Sequence, residues 1–147
     1  MEWVICFAVN WTLVALLGGW KREQLKTNIW CGLFAVAIQL LIDTARINMG
    51  YYKIERPVIP LWGSSLFFII GPVFGEGVLF SMLQPKKVWA KTVHVLFYTL
   101  VFSLAEHLTL KTGALVYLNW KPVNSLIINF MSMTSLGWFS IVILKRG

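Results

Sequence analysis

Apolar residues fill this chain in five long runs, separated by short polar stretches that carry most of its lysines and arginines. The runs cover residues 2–20, 28–51, 58–83, 88–110 and 122–144. Crossing a hydrocarbon core about 30 Å thick takes about 20 mostly apolar residues as a helix. Each run meets that length. The pattern predicts an all-α integral membrane bundle of about five transmembrane helices, a single domain over residues 1–147 with the lipid bilayer as its first partner.

Composition agrees with the pattern. The chain is 58% hydrophobic and 13% charged, with a mean hydropathy of +0.72, whereas soluble domains carry about 25% charged residues. This excludes a disordered chain. Two cysteines are too few for a disulfide scaffold, and 13 Lys and Arg scattered in twos and threes form no nucleic-acid-binding surface.

Charge placement sets an expected orientation. Glu2 precedes the first run and Lys21, Arg22 and Lys26 follow it, the reverse of a signal peptide. Alternate connections place Lys21, Arg22, Lys26, Lys86, Lys87, Lys91, Lys145 and Arg146 on one side, against Lys53, Arg56, Lys111 and Lys121 on the other. The positive-inside rule then puts the N-terminus outside and the C-terminus inside.

In lipid the informative residues are the polar ones, because a charge near the bilayer centre costs about 2.5–3.5 kcal/mol on insertion scales. Gln39, Asp43 and Arg46 recur at helical spacing on the second helix, and Gly32 and Ala35 extend their stripe. The fourth helix has Thr92, Thr99, Ser103 and Glu106 on a comparable face; the fifth has Ser125, Asn129, Ser132 and Ser135. Gly71 and Gly75 give the third helix a small-xxx-small pair. At about 1.5 Å per residue, Asp43, Arg46, Glu106 and His107 fall within about 7–12 Å of the outer boundary. They form the candidate polar site, which has two readings. It binds an ion or polar solute or relays protons, or it is a structural clamp in which Arg46 neutralises Asp43 and Glu106. Because Glu106 and His107 point about 100° apart, one of them at most faces Arg46. Glu76 and His94 form a second polar layer about 9 Å from the inner boundary.

Pro72 is expected to kink the third helix near Phe68. Either this is a kink tolerated in lipid, or the helix is broken to line a binding site. Cys6 and Cys31 are placed at opposite ends of neighbouring helices, too far apart for a disulfide. The chain has no metal-ligand cluster, no HExxH, GxSxG or DxxD motif and no nucleotide-binding glycine fingerprint. No metal or cofactor is expected.

The segment from Lys111 to Pro122 is too short to span and too apolar for an ordinary loop. Tyr117 and Trp120, three residues apart, would share one face of a helical turn at headgroup depth. They serve there as an interfacial anchor or as a lid over the outer polar layer. Glu106, Lys111, Thr112, Leu115, Tyr117 and Trp120, with the Gly71-Pro72 and Gln84-Pro85-Lys86 stretches, resemble elements of a family of small multi-spanning membrane proteins of spore-forming Firmicutes. That family has no assigned activity. The chain departs from it in having Lys121-Pro122 where an aromatic pair is usual, and in the spacing of the acidic residues ahead of the tyrosine. The resemblance implies a bacterial plasma membrane and about five helices. The expected function is a small non-enzymatic transport component, or a subunit that associates with itself or with another membrane protein. The alternative is an enzyme that modifies a lipid at the outer leaflet, with Glu106 and His107 as acid and base.

Overall fold

The computed structural model describes residues 1–20 and 22–146. It is mostly helical, with five helices: α1 (Glu2–Trp20), α2 (Arg22–Asn48), α3 (Leu66–Met82), α4 (Val88–Lys111) and α5 (Pro122–Ile143). α1, α2, α4 and α5 are each long and apolar enough to cross a membrane, whereas α3 is shorter. Lys21, part of the charge tally, lies outside the described residues.

The helical bundle is as expected in its long elements, and two short sheets are added to it. Two short antiparallel sheets sit together at one end of the bundle, here termed the capped end. Strand β1 (Tyr52–Ile54) pairs with β4 (Leu115–Tyr117), and β2 (Pro60–Leu61) with β3 (Ser64–Ser65).

The run at 58–83 is therefore not helical throughout. Pro57 and Pro60 push the residues before them out of the helical region, and Trp62 and Gly63 both take positive φ in a two-residue hairpin turn. The helix begins only at Leu66, which leaves α3 about 25 Å long. Pro72 does not break it. A π turn over Ile69–Val73 carries the helix past the proline, whose missing N–H and bulky ring cannot fit an α-helical ladder.

The segment after α4 also differs from expectation, being a strand and not a helical turn. Gly113, at φ 74°, closes α4: its N–H bonds the Leu110 carbonyl at 3.1 Å and the Ala114 N–H bonds that of Thr109 at 3.1 Å. This Schellman geometry turns the chain sharply. Leu115-Val116-Tyr117, a β-branched and aromatic run, is then free to pair with β1.

α2 and α3 form the central seam. A Cβ on Gly77 would lie 2.8 Å from Ala35 Cβ, 2.9 Å from the Cys31 carbonyl oxygen and 2.9 Å from Gly32 Cα, so the backbones touch. Gly71 and Gly75 face α1 instead, against Phe7 and Asn10. α1 thus packs on α3, and α5 packs on α4 and on the seam, but no sustained packing joins α1 to α4.

Polar side chains are buried alongside the apolar core, and large apolar ones cover the surface. Asn28, Asp43, Ser64, Ser81, Thr99, Ser125, Asn129 and Ser140 are buried, while Leu16, Leu41, Leu100 and Leu104 are exposed. At the end opposite the cap, Asn28 Oδ1 accepts from Ser81 Oγ at 3.0 Å and from Arg146 Nε at 2.9 Å. Ser140 Oγ lies 3.0 Å from Ser81 Oγ, and Arg146 also donates to the Gln24 carbonyl at 3.1 Å. These bonds tie α2, α3, α5 and the chain beyond α5 together.

Candidate functional site

Asp43 is 2% exposed and is held by three neutral donors. Gln39 Nε2, one helical turn earlier, donates to Oδ1 at 2.8 Å; Tyr52 Oη donates to the same oxygen at 2.6 Å; Ser64 Oγ donates to Oδ2 at 2.7 Å. The carboxylate thereby pins β1 and β3 onto α2.

Glu106 does the same for the other half of the cap. Its Oε1 accepts from Tyr117 Oη and, at 2.6 Å, from Ser125 Oγ; its Oε2 accepts from Asn129 Nδ2 at 2.9 Å. Ser125 Oγ in turn accepts from Trp120 Nε1 at 2.7 Å. The ladder register connects the two networks, because Tyr52 lies directly opposite Tyr117 and each phenol serves a different carboxylate. Both phenols are pushed above the ordinary tyrosine range, first by burial and then by the carboxylate each one faces, so both remain protonated donors.

The expected ion-pair clamp is not formed. Among the described residues the ion pairs join the N-terminal ammonium to Glu2 and Lys53 to Glu55. The Arg46 guanidinium lies over the rings of Trp120, at 5.2 Å, and Tyr51, at 5.7 Å. The Gln39 amide and the hydroxyls of Tyr52 and Ser64 hold both oxygens of Asp43, and Arg46, at the last turn of α2, settles on aromatic faces. His107 is exposed and stands apart from the cluster. Tyr117, presented by a strand, bonds Glu106 directly, and Trp120 reaches it through Ser125.

Glu76 and His94 do not act as a pair. His94 Nε2 donates to the Phe80 carbonyl at 2.9 Å, and its ring packs on Phe80 and Tyr98. Glu76 Oε1 is buried without a hydrogen-bond partner. Cys6 and Cys31 are both free thiols.

A cavity of about 450 Å³ opens where α1 and α4 fail to meet. Its polar lining includes Asn10, Gln39, Asp43, Glu76, Glu106 and Asn129. Its rim consists of exposed apolar side chains, Val9 and Leu13 on α1 and Phe97 and Val101 on α4. No Lys, Arg or His lines it among the described residues. A site of this size, concave, mainly apolar and with few convergent polar groups, has the form of a small-molecule pocket.

Sequence reasoning located Asp43, Glu106 and Glu76 but missed Tyr52 and the role of Ser64. Tyr52 reaches Asp43 on a strand that pairs across more than sixty residues, and Ser64 on a local hairpin inside an apolar run, and no helical period reveals either. Comparison of the chain with family models, with curated proteins and with solved structures gives no match, so the site is interpreted from its own geometry.

Proposed function

We propose that this is a multi-pass protein of the plasma membrane that binds an amphipathic molecule drawn sideways from the bilayer, as a small non-enzymatic transport component. The cap faces outward in this reading, in line with the distribution of lysine and arginine. The observation that carries it is the 450 Å³ cleft, whose apolar rim lies on lipid-facing surfaces of two helices that do not pack together. A chain-like ligand lies there with its apolar part toward lipid and its head among the buried polar groups.

The lipid-modifying alternative has less support. It needs Glu106 and His107 to act jointly, yet three protein donors hold Glu106 and His107 points outward.

Photolabelling of the protein in nanodiscs tests the proposal. A long-chain alcohol, ammonium or sulfate with a diazirine in its tail should mark Val9, Leu13, Phe97 and Val101 well above other exposed apolar positions such as Leu41. Uniform labelling of all lipid-facing positions by every probe would contradict it.

A further inference from the structure

We infer that the ligand of this cleft is a lipophilic cation, an amphiphile whose ammonium or comparable organic cation sits against Glu76. The inference rests on the cleft being a binding site and adds the chemistry of the head group.

Three carboxylates, those of Asp43, Glu76 and Glu106, line one cavity. None of them is ion-paired among the described residues. The donors on Asp43 and Glu106 are neutral amides and hydroxyls; they fix the carboxyl groups in place and supply no counter-charge. A cation entering the cleft meets three acidic groups and no competing base. An anionic amphiphile finds no basic side chain in the cleft to balance it among the described residues.

The free acceptor is Glu76. Its Oε1 is buried and unpartnered beside the cleft, and a buried acceptor without a donor is unfavourable until a ligand supplies one. A neutral alkyl chain would leave it unsatisfied.

The remaining wall is suited to the same guest. Phe68, Tyr98, Phe102 and Trp120 line the cavity, and aromatic faces attract organic cations. The protein itself uses this chemistry nearby, where Arg46 lies over Tyr51 and Trp120. Exposed Val9, Leu13, Phe97 and Val101 provide the lipid-facing rim along which a tail extends.

The test is a head-group series on one diazirine-bearing tail, ending in primary ammonium, hydroxyl or sulfate, in phosphatidylcholine nanodiscs with the full chain. The ammonium probe should label the cleft positions at least tenfold more than the sulfate probe and clearly more than the alcohol. Glu76→Gln should reduce ammonium labelling to the level of the alcohol. Equal labelling by the three probes, preference for the alcohol or sulfate, or an unchanged ammonium signal in a folded Glu76→Gln protein overturns the cation inference while leaving the cleft as a site. Absence of cleft labelling by any probe removes both. Should Glu76→Gln fail to fold, the series on the parent protein decides the matter, and blocking the rim with Val101→Trp should abolish the ammonium signal while Glu76 is intact.

Discussion

The α2–α3 seam and the α1–α4 cleft treat space and polarity in opposite ways. At the seam, Gly32, Ala35 and Gly77 bring two backbones into contact, with no room for a Cβ at Gly77. At the cleft, large side chains stand apart around an unfilled volume, and Glu76 has an unused acceptor. The seam gains stability from close packing, the kind of contact that holds helices together when their surroundings are apolar. The cleft forgoes that packing, which is a local cost expected of a binding site and not of a structural contact.

The sharpest way to break this comparison is to force the seam open. Gly77→Leu must displace the Cys31 carbonyl and Gly32 Cα, neither of which can yield as a flexible side chain would. Overpacking usually costs about 1–3 kcal/mol, and backbone contact places this change at or above the top of that range. Thermal unfolding in detergent should show little or no folded protein. A parent-like melting curve would mean that the seam is loose.

A smaller effect is expected where the cap is tied down. Asp43→Ala leaves the Tyr52 and Ser64 hydroxyls without their shared acceptor. A buried donor left without its acceptor costs about 1–3 kcal/mol, so two of them near the lower end give an expected loss of about 2–3 kcal/mol. Hydrogen exchange at Lys53 and Ile54 should accelerate with it, while exchange along the seam stays slow. Uniform acceleration throughout the chain would show that cap and seam are one cooperative unit.

The smallest effect belongs to Arg46→Leu. Its guanidinium is half-buried over two rings and pairs with neither carboxylate, and such contacts contribute about 0.5–1 kcal/mol at exposed sites. Melting of this variant should stay within about 1 kcal/mol of the parent. A loss of about 3–5 kcal/mol, the cost of breaking a buried ion pair from one side, would instead restore the clamp.

Arg46 also shows where the sequence was and was not legible. Helical spacing put Gln39, Asp43 and Arg46 on one stripe, and the structure joins Gln39 to Asp43. The stripe continues in angle as far as Arg46, but α2 ends at Asn48, and helical spacing carries no information about what lies beyond a helix end. The four long helices and the small-residue faces follow from local periodicity, which is a property of consecutive residues. The β1–β4 ladder depends on partners more than sixty residues apart, and the bond from Arg146 to Asn28 spans 118; neither leaves a local pattern. The hairpin at 60–65 did leave one, since two prolines and a Trp-Gly pair interrupt an apolar run, but the apolarity of Val58 and Ile59 outweighed it. The cleft itself was illegible, because it arises from what α1 and α4 do not touch.

The central claim is that the gap between α1 and α4 holds a ligand and is not merely unfilled lipid-facing surface. Native mass spectrometry of protein released from membranes tests this most directly, comparing the parent with the double variant Val9→Trp, Val101→Trp. Both positions are exposed rim residues, so the variant should melt within about 1 kcal/mol of the parent. The account predicts a discrete retained mass on the parent, of amphiphile size, that is absent from the filled variant. The same retained mass on both proteins, or on neither, would contradict it.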